Sequence, residues 1–359
     1  MPVHREGKAK ATERVKFSAV QGAAELFTPD FVEYLAYLHD RFNDRILTLR
    51  ENRGKVLEKA HQGIPPAHLP VSQANTGDWK VPPVPEDLQK RGIEISGPAS
   101  VTGMFINALN PGPEGMRAEG DLDDDEDSAG HRFEDTVNAA WNRKRAIEGT
   151  LTYFDPEKRK EYKLQAGDLP FFMHRERGLH LNEPEVTVDD APISASILGA
   201  ALTLFHAGRA HVERGQGIYF YLPKMEAAEE AAFWREFFDA SREYVRFLNN
   251  ATIRTIALIE SLPAAYQMEE ILLALGPYAA GLNAARWDFQ ASILEFVMND
   301  PSSVWPDRFG VDIKKTDFLG NIFRRLVAIC LKRGAVPIGG MAVALPSKDD
   351  EVNRAAAAL

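Results

Sequence analysis

Glu260 and Asp288 are the residues whose types and spacing point most directly to chemistry. From Ile253 to Phe289 the chain reads IRTIALIESLPAAYQMEEILLALGPYAAGLNAARWDF, two strand-like apolar runs around a helical one. Each apolar run ends in a carboxylate. Parallel strands joined by one helix lie side by side and point the same way. Both acids are therefore expected at the end of the sheet where α/β folds build their sites. Such oxygen donors suit Mg2+, which keeps several waters and takes one or two carboxylates plus substrate oxygens. The competing assignment is structural: each acid caps the following helix or pairs with a base such as Arg286.

Further groups lie at the ends of other apolar runs. In HRERGLHL, Arg175 and Arg177 alternate onto one face of a strand and suit a carboxylate or a developing oxyanion, or else a surface ion pair. His180 in the same segment reads as structural. The acidic run from Asp121 to Asp127 reads first as a solvated loop, with Glu126 or Asp127 placed to support a metal from outside its ligand shell. Lys224, closing GIYFYLP, suits an anionic substrate or a rim position. No Cys/His zinc spacing, no GxSxG elbow and no glycine-rich phosphate loop is present.

The elements that must position these residues follow from periodicity. Residues 1 to about 20 read as a polar arm. Thr28-Pro29-Asp30 starts a helix, with a capping residue, a first-turn proline and an acid near the positive dipole end. Phe31, Tyr34, Leu35, Leu38, Phe42 and Ile46 then keep helical spacing towards Leu57. Residues 63–85 read as a loop. Apolar runs near 93, 105, 122, 171, 219, 255, 280, 304 and 337 read as strands, mostly separated by helices, with 150–164 as a hairpin excursion. That alternation predicts an α/β fold, a (β/α)8 barrel rather than an open doubly wound sheet. The aromatic stripe Phe233, Trp234, Phe237 and Phe238 reads as helix core. The expected organisation is an N-terminal helical clasp and linker over 1–86, a barrel over 87–346 and a tail over 347–359.

Composition narrows the class. The chain has 359 residues, of which 45% are hydrophobic and 26% charged, as in ordinary globular proteins. A net charge of −10 argues against a nucleic-acid partner. The one cysteine, Cys330, lies in an apolar helical context, reads as core, and fits a reducing compartment. No run approaches the roughly 20 apolar residues that span a bilayer, and the N-terminus lacks a secretory signal. No membrane association is expected, and the cytoplasm is the expected compartment.

The motifs taken together resemble a known family. GLNAARWDF (281–289) is similar to the GLN-x-G-RWDY signature of A-type malate synthases, and LIESLPAAYQMEEIL (258–272) to their LIET-LPA-FQMDEIL segment. DWKVPPVPEDL, GIEISGP, INALN, HRERGLHL, GIYFYLPKME, WPDR and GAVPIGGMAVALPSKDDE align in the same order, over roughly residues 25 to 355. The resemblance implies a (β/α)8 TIM barrel with an N-terminal helical clasp. The implied reaction is Claisen condensation of acetyl-CoA with glyoxylate, giving malate and CoA, as in the glyoxylate cycle. It assigns Mg2+ to Glu260 and Asp288, enolate stabilisation to Arg175, and the glyoxylate carboxylate to the backbone of the Arg286-Trp287-Asp288 turn.

Some positions depart from that pattern. Ala285 stands where the family has glycine, which predicts a crowded turn. Phe289 replaces a tyrosine and its hydroxyl. DLDDDEDS stands where the family reads MADFEDS, so the strand it forms is expected to be weak or displaced. Family members also continue into a helical plug carrying an aspartate that takes the acetyl-CoA methyl proton, and nothing after Leu345 matches it. The alternatives left open are a malyl-CoA or citramalyl-CoA type lyase, a barrel that binds CoA thioester or metal without turnover, and a truncated sequence. An uncovered barrel mouth favours self-association or a covering partner.

Overall fold

The structure is a computed structural model and describes residues 10–89, 92–307, 310–311, 316–340, 347 and 349–357. Residues 1–9 of the expected arm, Arg308 of WPDR and residues 341–345 of the expected last strand lie outside them. The strands, in chain order, are β1 (Val15–Phe17), β2 (Glu94–Gly97), β3 (Gly120–Asp124), β4 (Thr152–Asp155), β5 (Lys160–Lys163) and β6 (Phe171–Arg175). They continue with β7 (Asn182–Val188), β8 (Ala191–Ser194), β9 (Ile218–Leu222), β10 (Ile253–Ile259), β11 (Ala279–Ala284) and β12 (Val336–Ile338).

Seven of these strands form one sheet in the order β12-β11-β10-β9-β6-β3-β2, every neighbouring pair parallel. β4 and β5 make the expected hairpin. Inward side chains, including Leu122, Phe171, Met173, Tyr219, Tyr221, Ile256 and Leu258, form one apolar cluster. Outward ones, such as Ile218, Phe220, Leu222, Ile253 and Ile259, join a larger core under the helices. The sheet curls: Ile93 and Glu94 near one edge and Val336 and Ile338 at the other line a single cavity of ≈ 150 Å3. Among the described residues β2 and β12 remain its two edges.

The clasp is built on helix α1 (Pro29–His61), 33 residues long and hence about 50 Å. Its Thr28 cap accepts from Phe31 N at 3.4 Å, and the buried face is the one its spacing predicts. Phe42 meets Phe233 at a centroid distance of 5.4 Å, so the clasp and the expected aromatic stripe share one core. Further helices are α2 (Thr102–Leu109), α3 (Phe133–Glu148), α4 (Ala195–Leu202), α5 (Gly208–Glu213), α6 (Ala228–Tyr244), α7 (Met268–Leu275), α8 (Arg286–Val297) and α9 (Asp317–Arg333). A π-helical turn, Thr203–Ala207, separates α4 from α5. Cys330 on α9 is fully buried. No helix among the described residues is long and apolar enough to cross a membrane.

Several expectations are corrected. The run at 104–110 is helix α2, with Phe105, Ile106 and Leu109 buried and Met104 exposed, the spacing of a helix face. Val304 is 84% exposed and outside any strand, because no sheet face is offered to it. Residues 11–17 are not a loose arm: β1 pairs antiparallel with β7, and Arg14 binds Asp40 and Asp189, each at 2.6 Å. Asp288 does not end a strand but sits in the first turn of α8.

β11 and β12 pack unusually closely. A Cβ on Gly281 would lie 2.2 Å from the Val336 carbonyl oxygen, so only glycine fits without parting the strands. Gly281→Ala is expected to lower the urea unfolding free energy by about 1–3 kcal/mol, as overpacking does. An unchanged midpoint would show that the pair opens freely.

Candidate active site

The mouth of the sheet is built by two successive register pairs between β3 and β6. Asp124 lies opposite Arg175 on the inner face, and Asp123 opposite His174 on the outer face. Arg175 Nε and Nη2 donate to the two Asp124 oxygens at 2.7 and 2.6 Å, and Nη1 lies 3.1 Å from Asp127 Oδ2. These contacts engage three of the guanidinium's five N–H groups. Burial disfavours both charges, but the Arg175 hydrogen bonds outweigh it and hold Asp124 below the usual carboxylate range. Arg175 is raised by the same pairing against burial.

The acidic run is therefore not a solvated loop, nor is its strand displaced. Asp121, Asp123, Asp124, Asp125 and Glu126 are all buried, and β3 is paired on both sides. Behind the sheet, Arg143 of α3 is only 1% exposed; it reaches Asp123 at 2.6 Å, Asp125 at 2.9 Å and Glu176 at 3.4 Å. Burial, partly offset by Arg143, pushes Asp123 and Asp125 up to about 7. Burial, then Arg143, lowers His174 to about 3, and burial takes His211 well below its ordinary value. His174 Nδ1 lies 2.6 Å from Asp123 Oδ2 and its Nε2 lies 3.0 Å from His211 Nε2. For two neutral rings this assigns His174 Nδ1–H as donor to Asp123 and His211 Nε2–H as donor to His174.

Glu260 follows β10 and Asp288 follows β11, neighbouring parallel strands as expected. Glu260 is 1% exposed; its Oε1 accepts from Lys224 N at 2.5 Å, and its Oε2 has no hydrogen-bond partner. It does not cap the next helix, because Ser261 does, accepting from Ala264 N at 3.3 Å. Burial, eased by Lys224, raises Glu260 to about 7. Lys224 Nζ lies 3.0 Å from Asp288 Oδ2, 3.7 Å from Glu260 Oε2 and 3.4 Å from Asp127 Oδ1. Burial lowers its pKa, but Glu260, Asp288 and Asp127 outweigh that and the net shift is upward. One ammonium thus sits among three carboxylates drawn from different parts of the chain.

Among the described residues no three His, Cys, Asp or Glu side chains form a ready-made metal cage. A magnesium site needs only one or two carboxylates, with waters and substrate oxygens completing the shell. Glu260 and Asp288 fit that need. Both are oxygen donors, both face one cation, and Glu260 Oε2 is a buried anion without a donor.

The remaining expected residues divide. Arg286 lies over the Trp287 ring at 4.8 Å, and Trp287 is half-exposed. Ala285, the N-cap of α8, has φ −102°, a region open to any residue, so no glycine is required there. Phe289 packs in the core. Glu126 is turned from the cation towards Gly178 N, at 2.6 Å, with His180 3.9 Å away. Arg177 does not share the site with Arg175: the strand ends first, and Arg177 is buried against Glu183 and Thr136 at 2.8 and 3.1 Å. Spacing also gave no sign of Arg53. From the clasp it donates to the Lys224 carbonyl at 2.7 Å and to Glu230 at 2.5 Å.

Fold and mouth together define a TIM-barrel protein with an acidic, cation-holding site at the C-terminal ends of its strands. A family model described as the malate synthase TIM barrel domain matches residues 171–359. The chain belongs to the malate synthase family. It is 38% identical over 328 residues to malate synthase of Myxococcus xanthus, covering 91% of this chain and 59% of that relative. It is 37% identical over 350 residues to malate synthase A of Escherichia coli (96% and 64%) and 34% over 366 to a glyoxysomal malate synthase of Candida tropicalis (97% and 63%). The chain thus spans 59% to 64% of the length of these relatives.

Arg143→Met would leave Asp123, Asp125 and Glu176 facing one another in a dry interior. The expected loss is about 3–5 kcal/mol by chemical denaturation, the usual result of breaking a buried charge network. Adding Asp123→Asn and Asp125→Asn should recover part of it. No loss in the single variant would mean that the acids are already neutral.

Proposed function

We propose that this site binds Mg2+ and glyoxylate and serves the condensation of acetyl-CoA with glyoxylate to malate and CoA. The observation that carries the reading is the buried, undonated Glu260 Oε2 facing the same cation as Asp288. Glu260 and Asp288 would hold the ion, which supplies Lewis-acid polarisation of an aldehyde oxygen when bound.

The chain's own residues then have separable tasks. Arg175, with two N–H groups beyond its ties to Asp124 and Asp127, stabilises the oxygen that becomes negative when acetyl-CoA loses its methyl proton. The first-turn N–H groups of α8, at Arg286, Trp287 and Asp288, point the positive end of the helix at the glyoxylate carboxylate. In the balanced reaction the acetyl methyl carbon bonds to the aldehyde carbon, that oxygen gains a proton, and water releases CoA from the thioester. Residues 1–86 act as a clasp, 87–346 as the catalytic barrel and 347–359 as a tail. The buried single thiol supports the cytoplasm as the compartment.

Calorimetric titration with glyoxylate should give heat with Mg2+ and none after chelation. Glu260→Ala and Asp288→Ala should each abolish that heat while circular dichroism stays that of the parent. Equal heats with and without chelator would sink the metal site. A thiol-release assay with acetyl-CoA and glyoxylate, beside one for malyl-CoA cleavage, tests the direction; cleavage alone would transfer the site to a lyase.

A further inference from the structure

Lys224 is the residue at this mouth whose conformation the binding reading leaves unexplained. Its backbone has φ 51°, the left-handed region, which a side chain-bearing residue occupies only when its surroundings hold it there. Two contacts do so. Its N–H donates to Glu260 Oε1 at 2.5 Å, and its carbonyl accepts from Arg53 Nη2 of the clasp at 2.7 Å. Arg53 is itself tied to Glu230 at 2.5 Å, so the strained turn is braced from a helix that does not belong to the sheet.

The outcome of that bracing is the position of Nζ. It lies 3.0 Å from Asp288, but 3.7 Å from Glu260 Oε2, too far for a hydrogen bond. Glu260 Oε2 is thus neutralised without being donated to, although the residue is 1% exposed. A third carboxylate, Asp127, lies 3.4 Å away on the opposite side of the mouth and is 44% exposed. The lysine side chain, 21% exposed, already reaches Asp127 through a long hydrogen bond.

We propose that Lys224 is a resident counter-cation that holds the place of the divalent ion between Glu260 and Asp288 and yields it by giving up Asp288 and closing onto Asp127, which it already touches, when the ion enters. This rests on the Mg2+ reading of Glu260 and Asp288. Lys224 is then a positioning residue with two seats. In the first it neutralises two carboxylates that would otherwise repel. In the second it keeps Asp127 alone, beside the loaded site. The two cations compete for one pair of anions, so the lysine sets how tightly the ion is held.

The test is Mn2+ binding, measured by calorimetry and by the loss of the free-ion paramagnetic resonance signal, on the full chain without substrate. Removing the ammonium in Lys224→Met, with Lys224→Gln as a second variant should the first misfold, is expected to tighten Mn2+ at least about tenfold, the order expected when a like charge leaves a partly buried site. Asp127→Asn removes the second seat and is expected to weaken Mn2+ binding. Equal or weaker binding in both lysine variants, with the parent still binding, overturns the exchange and leaves the metal site standing. No binding in the parent or in any variant overturns the metal site and the exchange with it.

Discussion

The register between β3 and β6 is the constraint on which the rest of the mouth depends. A parallel pairing sets residue against residue, and here it sets Asp123 against His174 and Asp124 against Arg175. Because side chains alternate, one pair faces the helices and the other the interior. A slip of β3 by one residue would turn Asp123 into the mouth and carry Asp124 behind the sheet, away from Arg175. The same register carries Asp127 to the rim, where it meets both Arg175 and Lys224. Burying so many carboxylates is unfavourable unless each finds a cation or donor, and Arg143 and Arg175 are placed one on either side of the strand to supply it.

That arrangement explains which features could be read from sequence. The unit from Ile253 to Ala284 was legible, because a β-branched run and a second, small apolar run bracket a clear helical repeat and its breakers. Glu260 at the end of β10 followed directly. Asp288 was legible as a neighbour but not as a helix residue, since Arg286-Trp287-Asp288 carries no capping side chain before it. The run at 104–110 is too short for its apolar spacing to separate strand from helix. β3 is illegible for a different reason. Its acids are incompatible with burial taken alone, and the arginines that make them compatible come from positions 143 and 175, which no local pattern links to 123 and 124. Arg53 was hidden for the same reason, being one arginine on the polar end of a long helix.

The clasp and the sheet also prove less separate than their sequence positions suggest. α1 shares its aromatic core with α6, and Arg50 and Arg53 at its far end take backbone carbonyls of Leu179, Leu181 and Lys224. The helix therefore does more than cover apolar surface: it sets the backbone of the loops after β6 and β9. Sites are more accurately held by such outer contacts than by the loop that carries them.

The two sheet edges at β2 and β12 bear on the mechanics of the mouth. A fully closed barrel has its radius set by strand number and shear. Among the described residues the sheet has no such hoop, and its curve is backed by the helices behind it and by charged ties at its mouth, Arg175 to Asp127 and Lys224 to Asp127 and Asp288. Over the described strands the aperture is then an elastic quantity, set by side-chain ties as well as by backbone pairing. Its width responds to the ionic state of a few side chains, as well as to the number and register of the strands that carry them.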